Sequence, residues 1–219
     1  MTTVATVEAL YEAAMSCTAC FGPASAVSHA TIDVPQPRWV GPRYPTAQPR
    51  VLIVSINPGA GGDRQTPENI KLKHLLHRYK KKEVTLTEVL NFQKAHMRIW
   101  GRGGKFLPFY TTALDLELDD LSFLNVALCA TAKDKYPRHM LLNCYRAHTA
   151  TLAKALQPNV VLLSGSSTHH FAAHFSTELP HAEVVCMMHY ANREGAEAER
   201  NEHARVREIL ARHKRARDA

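Results

Sequence analysis

Four short apolar runs, separated by helical patterns, constrain the fold of this chain more than any other feature. They are RVLIVSI at 50–56, SFLNVALC at 122–129, NVVLLS at 159–164 and VVCMM at 184–188. Continuous apolar runs are typical of strands that are buried on both faces of a parallel sheet. Since helical patterns lie between them, we expect an α/β fold with three α/β/α layers and a central, mostly parallel four-stranded sheet.

Helical periodicity assigns the segments between these strands. The spacing of apolar residues predicts helices over residues 4–16, 67–79, 85–98, 106–116, 139–156, 166–176 and 196–216. Residues 21–49 are rich in proline and predict an extended connection. A chain of 219 residues suits one domain with a sizeable core. We therefore expect residues 1–219 to form a single domain with a basic helical insertion at about 64–105.

Composition excludes several classes of protein. Hydrophobic residues make up 45% of the chain and charged residues 21%, which excludes wholesale disorder. No window approaches the roughly 18 consecutive apolar residues of a membrane span, so no membrane partner is expected. The amino-terminal segment MTTVATVEALYEAAMSC lacks the basic region and the apolar stretch of a secretory signal. These features predict a cytoplasmic protein with reduced thiols.

The positive charge of the chain is concentrated in one segment. The net charge is +7, and residues 64–105 contain eleven Lys or Arg and three Glu, a local charge of +8. A concentrated basic segment favours a polyanionic partner. A solvated helix face with Lys80, Lys81 and Lys82 in a loop explains the same pattern, and the charge alone does not distinguish the two interpretations.

Four of the five cysteines form two pairs at the ends of predicted elements. Cys17 and Cys20 make a C-x2-C pair at a helix end, Cys129 closes a strand, and Cys144 follows after fourteen intervening residues. In a reducing compartment such pairs favour metal ligation over disulfides. Four thiolates suit zinc or a [4Fe–4S] cluster, and four unrelated buried cysteines are the plainer alternative. Cys186, in the middle of a strand, is expected to be an inert core residue.

Polar side chains mark the ends of three predicted strands. Asn57 follows the first strand, Asn125 lies in the second, and His189 follows the fourth. Since ligands of open α/β sheets bind at the carboxyl ends of the strands, these three side chains are candidates for one pocket. Each has a plainer interpretation: a turn former, a buried amide bonded to backbone groups, and a loop histidine. Their combination at one sheet edge favours the functional interpretation.

Together these motifs resemble the uracil-DNA glycosylase superfamily, and most of all its iron–sulfur members. The resemblance runs from Cys17 to about His189 and rests on CTAC, VLIVSINPG, LNVALC with a later cysteine, PNVVLLSG and MMHYANR. The chain departs from the iron–sulfur members at Asn57, where an acidic residue is usual. Its N-P-G loop resembles the mismatch-specific and single-strand-selective branches instead. His-Tyr-Ala at 189–191 replaces the usual His-Pro-Ser.

The resemblance implies a monofunctional glycosylase of base excision repair. Such an enzyme flips uracil out of DNA and hydrolyses its N-glycosidic bond, leaving an abasic site. The implied partner is uracil-containing DNA, and the expected protein is a monomer of the bacterial cytoplasm or nucleoid. Whether other deaminated bases are also removed stays open. Two alternatives also stay open: a non-catalytic nucleic-acid-binding protein with a structural cluster, and a zinc-bound α/β protein that acts on a small nucleotide.

The resemblance also implies a role for particular residues. Asn57 and His189 are the implied catalytic residues. The base would be bound by Asn125, Phe106 and Gly59, with Trp100 and Phe109 as further candidates for stacking. The implied ligands of a [4Fe–4S] cluster, with zinc as the weaker alternative, are Cys17, Cys20, Cys129 and Cys144. The charge of the basic segment predicts DNA contacts by Lys80, Lys81, Lys82 and Arg102, and Tyr190 and Arg193 beside His189 are further candidates.

Overall fold

A parallel sheet of four strands forms the centre of the protein. The computed structural model describes residues 4–21, 27–58 and 65–218. The strands are β1 (Val51–Ser55), β2 (Leu121–Asn125), β3 (Val160–Ser164) and β4 (Glu183–Met187). They pair in the order β2-β1-β3-β4, and every pairing is parallel. All four carboxyl ends therefore meet at one edge of the sheet.

Helices flank this sheet and complete the three α/β/α layers that the sequence predicts. They are α1 (Val4–Ala14), α2 (Pro67–Lys80), α3 (Leu86–His96), α4 (Phe106–Tyr110), α5 (Arg138–Cys144), α6 (Ala150–Leu156), α7 (Ser166–His169), α8 (Ala172–Glu178) and α9 (Ala196–Asp218). A π-helical turn, Tyr145–Thr149, joins α5 to α6, so the helix predicted at 139–156 is continuous. Within the described residues, no helix is both long and apolar enough to cross a membrane.

Two predicted elements are shorter than the sequence pattern indicates. The strand predicted at 122–129 ends at Asn125, although the next residues stay buried and Val126 N donates to the Ser55 carbonyl at 2.9 Å. The apolar run therefore indicates which residues are buried, and the buried residues extend beyond the last residue that pairs regularly in the strand. The helix predicted at 106–116 ends at Tyr110, because Thr111 adopts a non-helical backbone conformation. A short 3-10 turn, Thr112–Leu114, follows it.

The proline-rich connection covers the outer edge of β2. Gln36 N donates to the Leu128 carbonyl, and Phe123 N donates to the Trp39 carbonyl, each at 2.8 Å. An exposed strand edge presents unpaired backbone groups to other chains, and this segment satisfies them. The described part of this connection, residues 27–49, is thus extended, as predicted, apart from a 3-10 turn at Tyr44–Thr46, and it also holds the strand that carries Asn125.

Candidate functional site

The two predicted asparagines meet where β1 and β2 end. Asn125 is the last residue of β2, is 1% exposed, and lies in register with Ser55 of β1. Its side-chain nitrogen lies 3.3 Å from the Asn57 backbone oxygen when the amide is oriented to satisfy its neighbours. The Thr149 hydroxyl bridges the carbonyl oxygens of Asn125 and Val126, at 3.0 Å from each. The π-helical turn therefore fixes the backbone that presents the Asn125 amide.

The side chain of Asn57 is held by residues that the sequence analysis missed. Its Nδ2 donates to Asp134 Oδ1 at 3.0 Å. The Tyr136 hydroxyl also bonds to the Asn57 side chain and accepts the Thr131 N–H at 3.1 Å. Asp134 is separated from Asn57 by 77 positions and lies in a polar loop, so no local pattern marks it.

His189 follows β4 and presents a neutral imidazole. Burial lowers its pKa, which favours the uncharged ring near neutral pH. Its Nδ1 accepts the Ala191 N–H at 3.3 Å, and this assignment leaves the proton on Nε2. No hydrogen-bond partner for that Nε2–H lies among the residues that the structure describes. It is therefore a donor that a ligand can use.

A cleft of about 590 Å³ opens beside His189. Its walls include Gly165, Ser166 and Asn192, together with residues of α9. The Met188 N–H donates to Glu202 of α9 at 3.0 Å, which fixes the backbone that precedes His189. Of the predicted catalytic and base-binding residues that the structure describes, His189 lines this cleft, whereas Asn57, Asn125 and Phe106 do not.

Gly165, the residue after β3, packs directly against His189. Its φ is +97°, and a Cβ atom built there would lie 3.2 Å from the Cβ of His189. A backbone in this region favours glycine on its own account. The turn after β3 thus limits the position of the His189 imidazole.

Replacing Gly165 with alanine should therefore displace His189. Strained backbone costs about 1–3 kcal/mol, so we expect a lower melting temperature together with weaker action of the imidazole. Gly195→Ala is the matched control, since its φ is +98° and an added Cβ there has nothing within 4 Å. Thermal denaturation and a single-turnover assay of both variants would separate strain from displacement. An equal loss of activity in both would argue against the contact with His189.

Phe106 stands at the centre of an aromatic cluster beneath this edge. Its ring centroid lies 5.2–5.4 Å from those of Trp100, Tyr110, Phe123 and Tyr190. The ring is 5% exposed, so its faces are largely covered by these neighbours. Offset and edge-to-face contacts of this kind stabilise a rigid wall. Phe106 therefore has little exposed ring surface on which a base could stack.

The other aromatic candidates differ in their surroundings. Trp100 is half-buried, with the Arg38 guanidinium 4.9 Å from its ring centroid. Phe109 packs edge-on against His203 of α9 at 4.5 Å and is 2% exposed, as expected for a core residue. Tyr190 is half-buried, and its ring centroid lies 4.2 Å from that of His189. Tyr190 thus links the imidazole to the wall formed by Phe106.

The remaining site predictions fall partly outside the described residues. Gly59 lies outside them, and of Arg102 only the backbone is described. Arg193 is exposed in the turn that follows Asn192, four residues beyond His189. Tyr190 and Arg193 are the predicted DNA contacts that stand nearest to His189 along the chain.

The structure brings the four predicted cysteine ligands together. Cys17, Cys20, Cys129 and Cys144 all line one small pocket between the end of α1, the chain after β2, and α5. Cys186 stands apart on β4, where Arg205 and Glu202 are its charged neighbours. The two C-terminal ligand candidates are buried, each 7% exposed. The spacing in the sequence thus identifies the members of this group and the cysteine that lies outside it.

The chemistry of this pocket fits a sulfur-bound metal group. Burial raises the pKa of Cys20, of Cys129 and, to about 12, of Cys144, so these thiols are neutral unless a metal deprotonates them. The Leu128 N–H donates to Cys144 Sγ at 3.3 Å, a contact that suits a thiolate. His148 lines the same pocket, and its buried Nε2 has no partner in the described structure. A bound cluster would offer this nitrogen one.

Zinc and a [4Fe–4S] cluster require different ligand arrangements. Across the described residues, no three His, Cys, Asp or Glu side chains converge closely enough to hold one metal ion. A tetrahedral zinc site requires four ligands around one point. A [4Fe–4S] cluster binds each thiolate through a different iron, so its ligands surround a larger volume.

Comparison with protein-family models finds no match, and comparison with curated proteins finds none. Function therefore has to be argued from the residues of the site.

Four of the eleven cations of the basic segment are paired, within the described structure, with acids from elsewhere in the chain. Asp33, Glu12, Asp119 and Glu199 lie outside this segment, and each pairs with one of its lysines. The lysines concerned are Lys73, Lys82, Lys94 and Lys105. In the folded protein, these acids therefore neutralise part of the +8 charge that the sequence of this segment carries.

The three consecutive lysines lie beside α1. Lys82 Nζ is 3.4 Å from a carboxylate oxygen of Glu12, and the nearby Tyr79 hydroxyl donates to the Glu8 carbonyl at 3.4 Å. Lys80 and Lys81 are exposed at the end of α2. Among the described residues, no contact joins this turn to Asn125 or His189. Their role in DNA binding stays a prediction.

Proposed function

We propose that this protein is a monofunctional DNA glycosylase that hydrolyses the N-glycosidic bond of uracil flipped out of DNA. The observation that carries the proposal is the arrangement of three groups at one sheet edge: the buried amide of Asn125, the amide of Asn57, and the neutral imidazole of His189 with its Nε2–H available. The resemblance in the sequence motifs points to the same three residues.

Asn125 suits the recognition of uracil. An amide offers one acceptor and one donor side by side, which match the N3–H and O4 of uracil. Cytosine presents an acceptor and a donor in the reverse positions. A fixed amide therefore rejects cytosine, because the mismatch leaves buried polar groups unpaired. The Thr149 bridge fixes the backbone of Asn125, and its amide nitrogen lies 3.3 Å from the Asn57 backbone oxygen and 3.1 Å from that of Leu124, so a uracil O4 would replace one of these two contacts.

His189 suits the stabilisation of the leaving base. Cleavage of the bond places negative charge on uracil, and the Nε2–H can donate to a carbonyl oxygen of the base as this charge develops. Preorganised donors of this kind contribute about 3–4 kcal/mol to lowering a barrier. The Ala191 N–H and the Gly165 turn hold the ring in the tautomer and position that this role needs.

Water is the proposed nucleophile, and Asn57 would orient it toward C1′ of the sugar. The new bond joins the water oxygen to C1′, and the electrons of the broken bond leave with the base. Neither the N-P-G motif nor the HYANR motif contains a lysine that could form a covalent intermediate. Borohydride should therefore trap no adduct between the enzyme and DNA.

The four cysteines are proposed to hold a [4Fe–4S] cluster, with zinc as the weaker alternative. The bound group would supply a cross-link that joins the amino-terminal segment to the chain after β2 and to α5. Tyr136 extends this link, since its hydroxyl donates to the Cys129 carbonyl at 3.4 Å and also bonds Asn57. Such a group requires reduced thiols, which is consistent with a cytoplasmic monomer.

The experiment that tests this function measures release of uracil. Anaerobically purified protein is incubated in excess with single- and double-stranded DNA that contains one uracil, and abasic sites are cleaved by hot alkali. Strand cleavage at uracil, with none at thymine or cytosine in matched DNA, supports the proposal. DNA binding without uracil release from either substrate would overturn it and favour the non-catalytic alternative.

The salt dependence of DNA binding tests the lysine run. Each phosphate contact contributes about 0.9 to the slope of log affinity against log salt on duplex DNA. Because Lys82 is paired with Glu12, we expect changing Lys80, Lys81 and Lys82 to alanine to lower this slope by at most about 1.8. The control is the Lys214→Ala, Arg215→Ala variant at the end of α9. A slope equal to that of wild type would remove the run from the DNA-binding surface.

A further inference from the structure

A carboxylate stands beside the amide that would hold the attacking water. Asp134 Oδ1 accepts from Asn57 Nδ2 at 3.0 Å. We propose that Asp134 is the proton acceptor of this site, taking the proton that the water loses when it attacks C1′. The inference rests on the proposed glycosylase function and adds a catalytic group that neither the motifs nor the resemblance indicates.

The chemistry of the step requires such a group. As the water oxygen bonds to C1′, the bond from C1′ to the base nitrogen breaks and its electron pair stays on the base. One proton of the water must then be accepted. An amide can accept a hydrogen bond but is not a useful base, whereas a carboxylate in hydrogen-bonding reach is. Asn57 alone therefore leaves the step incomplete, and the adjacent Asp134 completes it.

The hydrogen bond between the two side chains also indicates which of them orients the water and which accepts its proton. Because Asn57 Nδ2 donates to Asp134, the amide is oriented with its oxygen as the acceptor for a water. A water between the two groups can donate one hydrogen to the Asn57 oxygen and the other to the carboxylate. Its lone pair is then directed away from both, toward a sugar bound at the strand ends.

The charge of Asp134 acts on two tyrosines near the catalytic candidates. Its carboxylate raises the pKa of both Tyr136 and Tyr190, after the larger effect of burial on each. Tyr136 contacts Asn57 and Tyr190 adjoins His189, so the negative charge acts on a neighbour of each catalytic candidate. A fixed negative charge there also stabilises the positive charge that develops on the sugar.

The backbone around Asp134 is held in a costly conformation. Lys133 and Asp134 have φ values of 57° and 51°, in the left-handed region where non-glycine residues are uncommon. Each such residue costs roughly 1–3 kcal/mol and persists only where its surroundings fix it. Here the Asp134 N–H donates to the Thr131 carbonyl at 3.2 Å, and Thr131 N–H donates to the Tyr136 hydroxyl. The loop thus fixes the direction of the carboxylate.

The test compares Asp134→Asn with a matched control. The asparagine keeps an oxygen that can accept from Asn57 but cannot take up the proton. We expect a fall of about 10²–10³-fold in the single-turnover rate at saturating enzyme, with unchanged affinity for uracil DNA. The acid limb of the pH–rate profile should also be lost. Asp115→Asn is the control, an exposed aspartate with φ 56°, and should keep the wild-type rate.

A second variant keeps the test decisive. In Asp134→Ala, added formate should restore part of the rate, since it supplies a free carboxylate in the vacated space. A wild-type rate in Asp134→Asn would overturn the role of Asp134 and leave the proposed glycosylase function intact. If wild-type protein itself released no uracil, both proposals would fall together. A reduced rate that formate does not restore, with the acid limb retained, would reduce Asp134 to a structural residue.

Discussion

Replacing Cys144 with serine is expected to remove the visible absorbance of anaerobically purified protein and to lower its melting temperature by more than about 10 °C. Structural metal sites contribute on the order of 10 kcal/mol to folding. For a chain of this size each kcal/mol corresponds to about 2–4 °C. Even a third of that contribution therefore gives a large shift. Of the four proposed ligands, Cys144 is the one to replace, because it is buried and also accepts the Leu128 N–H.

Cys186→Ser is the matched control for this variant. Cys186 is a partly buried cysteine of β4 outside the pocket, so its replacement should leave the absorbance and the iron content unchanged. Iron retained at the wild-type level in the Cys144 variant would contradict the ligand assignment. Zinc in wild-type protein, without iron, would convert the group to a zinc site. Neither metal in wild-type protein would remove the metal-binding proposal.

Loss of the proposed cluster should also lower activity at the candidate site. Tyr136 joins the Cys129 carbonyl to the Asn57 amide, so loosening of the cysteine pocket frees one anchor of Asn57. Uracil release by the Cys144 variant should therefore decline even below its melting temperature. The same assay on the Cys186 variant separates this effect from a general effect of losing a thiol.

The parts of the fold that the sequence predicts are those encoded locally. Residues 160–163 are apolar at every position, and this alone identifies a strand buried on both faces. The four cysteines of the two pairs are recognisable in the sequence because they stand at or near the ends of predicted helices and strands. Asn125 and His189 are found in the same way, since topology brings all carboxyl ends of parallel strands to one edge.

What the sequence does not predict depends on contacts between distant residues. Asp134 reaches Asn57 across 77 positions, from a loop whose left-handed backbone has no local signature. The charge of Lys82 is likewise met by Glu12, seventy positions earlier. A count of charges along the chain therefore overstates the basic surface, whereas hydrophobic runs report burial directly. Long-range polar partners are the part of this site that only the structure supplies.

Replacing His189 with alanine is expected to lower the single-turnover rate of uracil release by about 10²–10³-fold. The figure follows from the loss of one preorganised donor to the charge that develops on the leaving base. Because this contact strengthens only as the bond breaks, affinity for uracil DNA should change little. Burial keeps the ring neutral near neutral pH, so the effect should not depend on pH in that range.

The matched control for His189 is His170→Ala, an exposed histidine that follows α7. It should keep the wild-type rate, which excludes a general effect of removing a histidine near the strand ends. Glutamine at position 189 refines the test, since its amide can donate but is not fixed by the Ala191 N–H. A partial rate in His189→Gln would support donation to the base. A full rate in His189→Ala would instead show that the imidazole is a packing partner of Gly165 and Tyr190, and would remove it from the catalytic site.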